Sequence, residues 1–188
     1  MPSGPRKLDE RLAMACDGLV DQLFVQRQAT ANLPRGLVIA ITAPHSGAGV
    51  TYITEMLAER LGETAARVQA SALEEGTGLP LSEDFQKSIE KMDRLNRRSE
   101  VLYELRANFH YVLVDCPSVK DGHFVTGLAP LVDGVIIVIE ADRTQKRQIL
   151  YTERTIQAAG GNIFGHILNK RNYPVPGWIF RRLEAMGV

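Results

Sequence analysis

Apolar residues recur along this chain in two rhythms. Leu8, Leu12, Leu19 and Leu23 fall on one helical face and predict an amphipathic helix over residues 7–28. "TANLPRG" then breaks that pattern. Residues 37–42, "LVIAIT", are apolar without interruption, as expected of a strand covered on both faces. Ile53, Leu57 and Leu61 return to helical spacing directly afterwards. "ARVQA" predicts a weak second strand, and "SALEEGTGLPLSED" reads as a loop rich in glycine, proline and acids. Residues 84–107 predict one broken helix or two consecutive ones. "YVLVDCPS" and "GVIIVIEA" predict strong strands, with a helix from Thr144 to Ala159 after the second. "GGNIFGHILNK" supplies the last strand, and "WIFRRLEAM" reads as a short terminal helix.

Strands alternating with helices imply a mostly parallel sheet with right-handed crossovers and helices on its faces, an α/β layered fold. The 188 residues suit one domain, read as residues 36–188, preceded by a helical extension over 1–35. Lysine plus arginine equals aspartate plus glutamate at 22 each, so bulk charge gives no reason to expect nucleic-acid or membrane affinity. The two cysteines, Cys16 and Cys116, provide no disulfide framework and suit a reducing compartment. "MPSGPRKLDE" lacks the apolar core of a signal peptide, and no apolar run approaches the roughly 20 residues of a membrane span. The expected location is the cytoplasm.

Ligands of such folds sit at the carboxyl ends of the strands, where this chain places Thr42–Thr51 and Asp115–Pro117. In a phosphate-binding loop, backbone N–H groups wrap the phosphates and the helix N-terminus adds partial positive charge. Gly47 and Gly49 supply the backbone freedom for that wrap. Thr51 occupies the hydroxyl position that would ligate magnesium. Val50, however, stands where the lysine for the β- and γ-phosphates belongs. The bland alternative is a strand-to-helix turn whose glycines serve only its geometry.

Taken in order, the loop, "VLVDCPS", "VDGVIIVIEADRT", "AGGNIFGHILNKRNY" and "WIFRRL" make the chain resemble the bacterial tyrosine kinases (BY-kinases) of capsule and exopolysaccharide synthesis. That family is akin to the MinD/ParA-type P-loop NTPases. The resemblance implies a P-loop NTPase-type sandwich and a nucleotide site at His45, Ser46, Gly47, Ala48, Gly49, Val50, Thr51, Tyr52, Asn169 and Arg171. It also implies ATP or ADP as cofactor, with magnesium held by Thr51 and Asp115. "VLVDCP" matches the Walker B box, and Asn169 matches the asparagine that contacts adenine in relatives.

The departures concern the chemistry. The first box reads "SGAGVT", and His45 falls on the signature lysine of MinD/ParA relatives. The Walker A′ box aligns with "QASALEE", putting Ala70 and Ala72 at its aspartates and Glu74 near its basic residue. Glu140 replaces an arginine of the family, whereas Thr144 is retained. After Asn169 only Tyr173 represents the autophosphorylated tyrosine cluster, and the first helix lacks the Glu–Arg–Arg motif of ring assembly. Together these imply a catalytically impaired pseudokinase, with Asp115 a remnant, acting as scaffold or regulator beside the cytoplasmic segment of an inner-membrane polysaccharide co-polymerase. Association with the membrane would be peripheral, through that partner, and a homo-oligomer is a further expectation. The alternative is an active kinase or ATPase whose missing cation comes from elsewhere, for instance Arg171. A MinD/ParA-like positioning protein is a third reading.

The remaining features read as structural. Cys116 is expected to be a small buried residue. His45, His110, His123 and His166 have no metal-ligand spacing. "RLNRRSE" reads as a solvated helix face rather than a basic contact surface, and Trp178 and Phe180 as core.

Overall fold

The computed structural model describes residues 36–171, together with the isolated positions Gly18 and Asp21. The helix expected over 7–28, the terminal "WIFRRLEAM", Tyr173, Trp178 and Phe180 therefore lie outside the described residues, apart from those two positions. The described elements are β1 (Leu37–Thr42), α1 (Val50–Leu61), β2 (Ala65–Gln69), α2 (Ala70–Glu75), α3 (Glu83–Ile89), α4 (Arg94–Asn108), β3 (Tyr111–Asp115), α5 (Phe124–Leu128), β4 (Gly134–Glu140), α6 (Lys146–Ala158) and β5 (Ile163–Asn169).

The five strands form one sheet in the order β2-β3-β1-β4-β5, and every pairing is parallel. Side chains alternate across a strand, so the central strands feed two apolar layers. Val38 and Ala40 of β1 join Val112, Val114, Val135 and Ile137 on one face. Leu37, Ile39 and Ile41 join Leu113, Ile136 and Val138 on the other, where Ile53 and Leu57 of α1 cover them. This accounts for the unbroken apolar runs: each residue of β1 is buried, whichever face it serves.

Two local differences from the expected elements have clear causes. "ASALEE" forms α2 instead of a loop, because Ala70 and Leu73 are buried one turn apart and Gly76 closes the helix in the left-handed conformation. "RLNRRSE" is not a wholly solvated face. Arg97 reaches the carbonyls of Glu74, Glu75, Ile89, Glu90 and Met92, binding the ends of α2 and α3. Arg98 pairs with Glu74 in a mostly buried contact. Periodicity places residues on a helix but not the partners a long arginine can find.

From β1 the chain runs outward through β2 and returns at β3, then crosses to β4 on the opposite side of β1. That reversal leaves a crevice beyond the carboxyl ends of β1 and β3.

Candidate phosphate-loop site

The crevice holds a cavity of about 550 Å³. One wall is the β1–α1 turn, and Gly47 and Gly49 give that turn its shape. Both have positive φ, 80° and 96°, and a Cβ on Gly49 would collide with Asn169 Nδ2. Glycine at 49 is therefore required twice, by backbone conformation and by close approach. Thr51 opens the exposed side of α1, while Thr54 anchors the first turn by donating to the Val50 carbonyl at 2.9 Å.

The other wall comes from β2, β3 and the segments that follow them. Asp115 lies in register with Ile41 on one side and Gln69 on the other. The loop after it is tied back to β1. Cys116 N–H donates to Ile41 O at 2.9 Å and Val119 N–H to Ala43 O at 2.9 Å, and Thr42 Oγ1 donates to Pro117 O at 2.7 Å. These bonds set Asp115 beside the phosphate-loop turn.

Burial pushes the Asp115 carboxyl above its ordinary range, against the Thr51 hydroxyl, which hydrogen-bonds to it, and the charge of Arg67. Arg67 is itself paired with Glu55 at 2.9 Å. A desolvated carboxylate next to a hydroxyl is a reasonable pair of oxygen ligands for magnesium, which commonly takes one or two protein oxygens and completes its shell with phosphates and water. Among the described residues no cluster of three or more His, Cys, Asp or Glu could hold a metal unaided. Cys116 is buried, and burial with the adjacent Asp115 charge drives its thiol pKa far up, so it is no nucleophile at neutral pH.

His45, Ser46, Gly47, Gly49, Val50, Thr51 and Asp115 all face the cavity. Ala48 is buried behind the turn, and its carbonyl accepts from Asn169 Nδ2 at 2.8 Å. Tyr52, Asn169 and Arg171 do not line the cavity, and Arg171 is exposed. Of the residues aligned with the Walker A′ aspartates, Ala70 lines the cavity, whereas Ala72 packs on the core.

Sequence reasoning missed Lys170. It lines the cavity, and its ammonium donates to Gly47 O at 2.5 Å and pairs with Glu140 Oε1 at 3.2 Å. Glu140 also holds Arg143 at 3.2 Å. Burial alone would raise the Glu140 pKa, but the Lys170 hydrogen bond and the charges of Arg143, Lys170 and His45 outweigh it and hold it low. Thr144 closes the corner: its hydroxyl accepts from Glu140 N–H at 3.0 Å and lies 3.0 Å from His45 Nε2. The sequence signal was the basic residue directly after Asn169, at the carboxyl end of the last predicted strand.

The all-parallel order and the glycine turn at its carboxyl edge define a P-loop NTPase-type α/β sandwich. Solved structures that it resembles include BY-kinase domains and MinD. It superposes on the VpsO kinase domain with a TM-score of 0.63 at 22% identity, covering 88% of this chain and 100% of that one. For the kinase domain of the Escherichia coli tyrosine kinase ETK the TM-score is 0.62 at 16% identity, covering 81% and 76%. MinD, a cell division protein of Aquifex aeolicus, gives 0.56 at 17% identity, covering 80% and 74%. No protein-family profile matches the chain, and no curated protein does.

Proposed function

We propose that this is a BY-kinase-like protein of exopolysaccharide or capsule biosynthesis and export, acting as a binding module and not as a kinase. In this reading it is a scaffold or regulator beside the cytoplasmic segment of an inner-membrane polysaccharide co-polymerase. Bound ATP or ADP would tune partner affinity or stabilise the fold. The observation that carries the reading is the contrast within one cavity. The glycine turn that wraps phosphate is formed, while Val50 and Ala70 face the same space where a lysine and an aspartate would serve catalysis.

The energetics favour binding over turnover. A charged hydrogen bond contributes about 1.5–3 kcal/mol, roughly 10- to 150-fold in affinity, and the backbone cradle survives its loss. Phosphoryl transfer depends almost wholly on positioning and charge stabilisation, so losing the principal cation costs that step more. If bound at Thr51 and Asp115, magnesium would supply charge neutralisation to the phosphates. The chain's own residues would hold and orient the ligand: Gly47–Gly49 through their amides, Thr51 and Asp115 through their oxygens.

A second reading, an active kinase or ATPase with a compensated site, is favoured by the Lys170 ammonium at the loop. Magnesium-ATP titration with turnover and phosphotyrosine assays separates the two. The binding-module reading expects micromolar-to-millimolar binding without turnover. Turnover by the wild type that Asp115→Ala abolishes would overturn it.

A further inference from the structure

The end of β5 reaches back to the phosphate-loop turn through two consecutive side chains. Asn169 Nδ2 donates to the Ala48 carbonyl at 2.8 Å, and Lys170 Nζ donates to the Gly47 carbonyl at 2.5 Å. Lys170 has a backbone φ of 57°, a left-handed conformation that side chains other than glycine adopt rarely. It is fixed there by its own N–H on Asn169 Oδ1 at 2.8 Å and by Glu140 on its ammonium. Such an outlier persists only where its surroundings over-determine it.

A trans peptide is planar, so its C=O and N–H point in opposite directions. The Gly47 carbonyl shares a peptide with the Ala48 N–H, and the Ala48 carbonyl shares one with the Gly49 N–H. Drawing both carbonyls toward β5 therefore turns both N–H groups away from β5. The Gly49 N–H donates no backbone hydrogen bond found among the described residues, and Gly49 lines the cavity. A backbone donor left without a partner calls for an acceptor. Lys170, Arg143 and Glu140 together carry one net positive charge, and an ammonium has three donors, of which Gly47 and Glu140 engage two.

We propose that Asn169 and Lys170 are positioning residues. They hold the turn by its carbonyls so that the Gly49 N–H stands ready for a polyphosphate, although Val50 supplies no lysine to organise the loop. The inference rests on the nucleotide-binding reading above and adds which residues keep that site formed. The ligand chemistry is a diphosphate group, whether part of a nucleotide or free pyrophosphate.

The test uses the full chain, with calorimetric titration of magnesium-ADP and of magnesium-pyrophosphate against wild type, Lys170→Met, Lys170→Arg and Asn169→Ala. Amide resonances of Ala48 and Gly49 and the melting temperature are followed in the absence of ligand. The expected result is a loss of about 10-fold or more in affinity for Lys170→Met and Asn169→Ala. The Ala48 and Gly49 resonances should shift in both, with a cooperative melting transition retained, and Lys170→Arg should restore binding. Binding of both ligands assigns the site to the phosphates alone, and binding of ADP only assigns it to the nucleotide; either supports the brace. Equal affinities for wild type, Lys170→Met and Asn169→Ala, with unmoved amide resonances, overturn it. A wild type that binds neither ligand overturns the nucleotide reading instead, and the amide resonances then decide the brace independently.

Discussion

The two walls of the cavity differ in how completely they are furnished. On the loop wall the polar groups are engaged: His45 with Thr144, Thr144 with Glu140, Glu140 with Arg143 and Lys170, and Lys170 with the turn itself. On the strand wall Asp115 stands in a buried setting, with Ala70 where a second carboxylate would help it hold a cation. The loop wall is built to keep a shape, and keeping a shape is what anion binding by backbone amides needs. In the reading proposed above, the strand wall lacks charges that phosphoryl transfer needs. On that reading, one cavity separates holding a phosphate from splitting it.

Four substitutions would break or sharpen this contrast. The largest effect is expected from Gly49→Ala, since φ of 96° and the approach of Asn169 both exclude a methyl group. Strain of about 1–3 kcal/mol should lower the melting temperature and remove calorimetrically detectable magnesium-ADP binding. Val50→Lys comes next. Added to a formed cradle, it should tighten magnesium-ATP binding by about 10- to 150-fold, yet leave turnover absent while Ala70 and Ala72 remain alanines. Turnover from Val50→Lys alone would show the strand wall to be sufficient.

Asp115→Asn probes the strand wall through stability. Because folding raises this carboxyl above its ordinary value of 3.8, the folded chain binds the proton more tightly than the unfolded one. Its contribution is therefore present in full below that ordinary value and is lost as pH rises through the raised one. The asparagine variant should melt higher than wild type at neutral pH without metal and flatten this pH dependence, as read by thermal melts across acid to neutral pH. Magnesium should stabilise the wild type and not the variant. Thr144→Val is the mildest test. It removes the acceptor for Glu140 N–H and the partner of His45, and about 1 kcal/mol should appear as a melting temperature lower by roughly 2–4 °C.

Much of the fold was legible because burial on both faces of a parallel sheet demands continuous apolar runs. "LVIAIT", "YVLVD" and "GVIIVIE" announce β1, β3 and β4 for that reason. α2 was hidden because six residues are too few for helical periodicity to show, and α5 because five are. The glycine turn and Asp115 were readable as local signals at strand ends. Lys170 was not, since its significance depends on Gly47, far away in sequence and adjacent only once β5 takes its place beside β4.

Alone, then, the sequence determined the layered parallel sheet, the glycine turn and the absence of a lysine at position 50, because these follow from residue type and local spacing. Only the tertiary structure decided that a lysine directly after β5 rests on that turn, that Arg97 and Arg98 hold helix ends instead of facing water, and that Asp115 is desolvated. Each depends on groups far apart in the chain meeting across packed strands and helices, and hydrogen-bond geometry and burial exist only after that packing is complete.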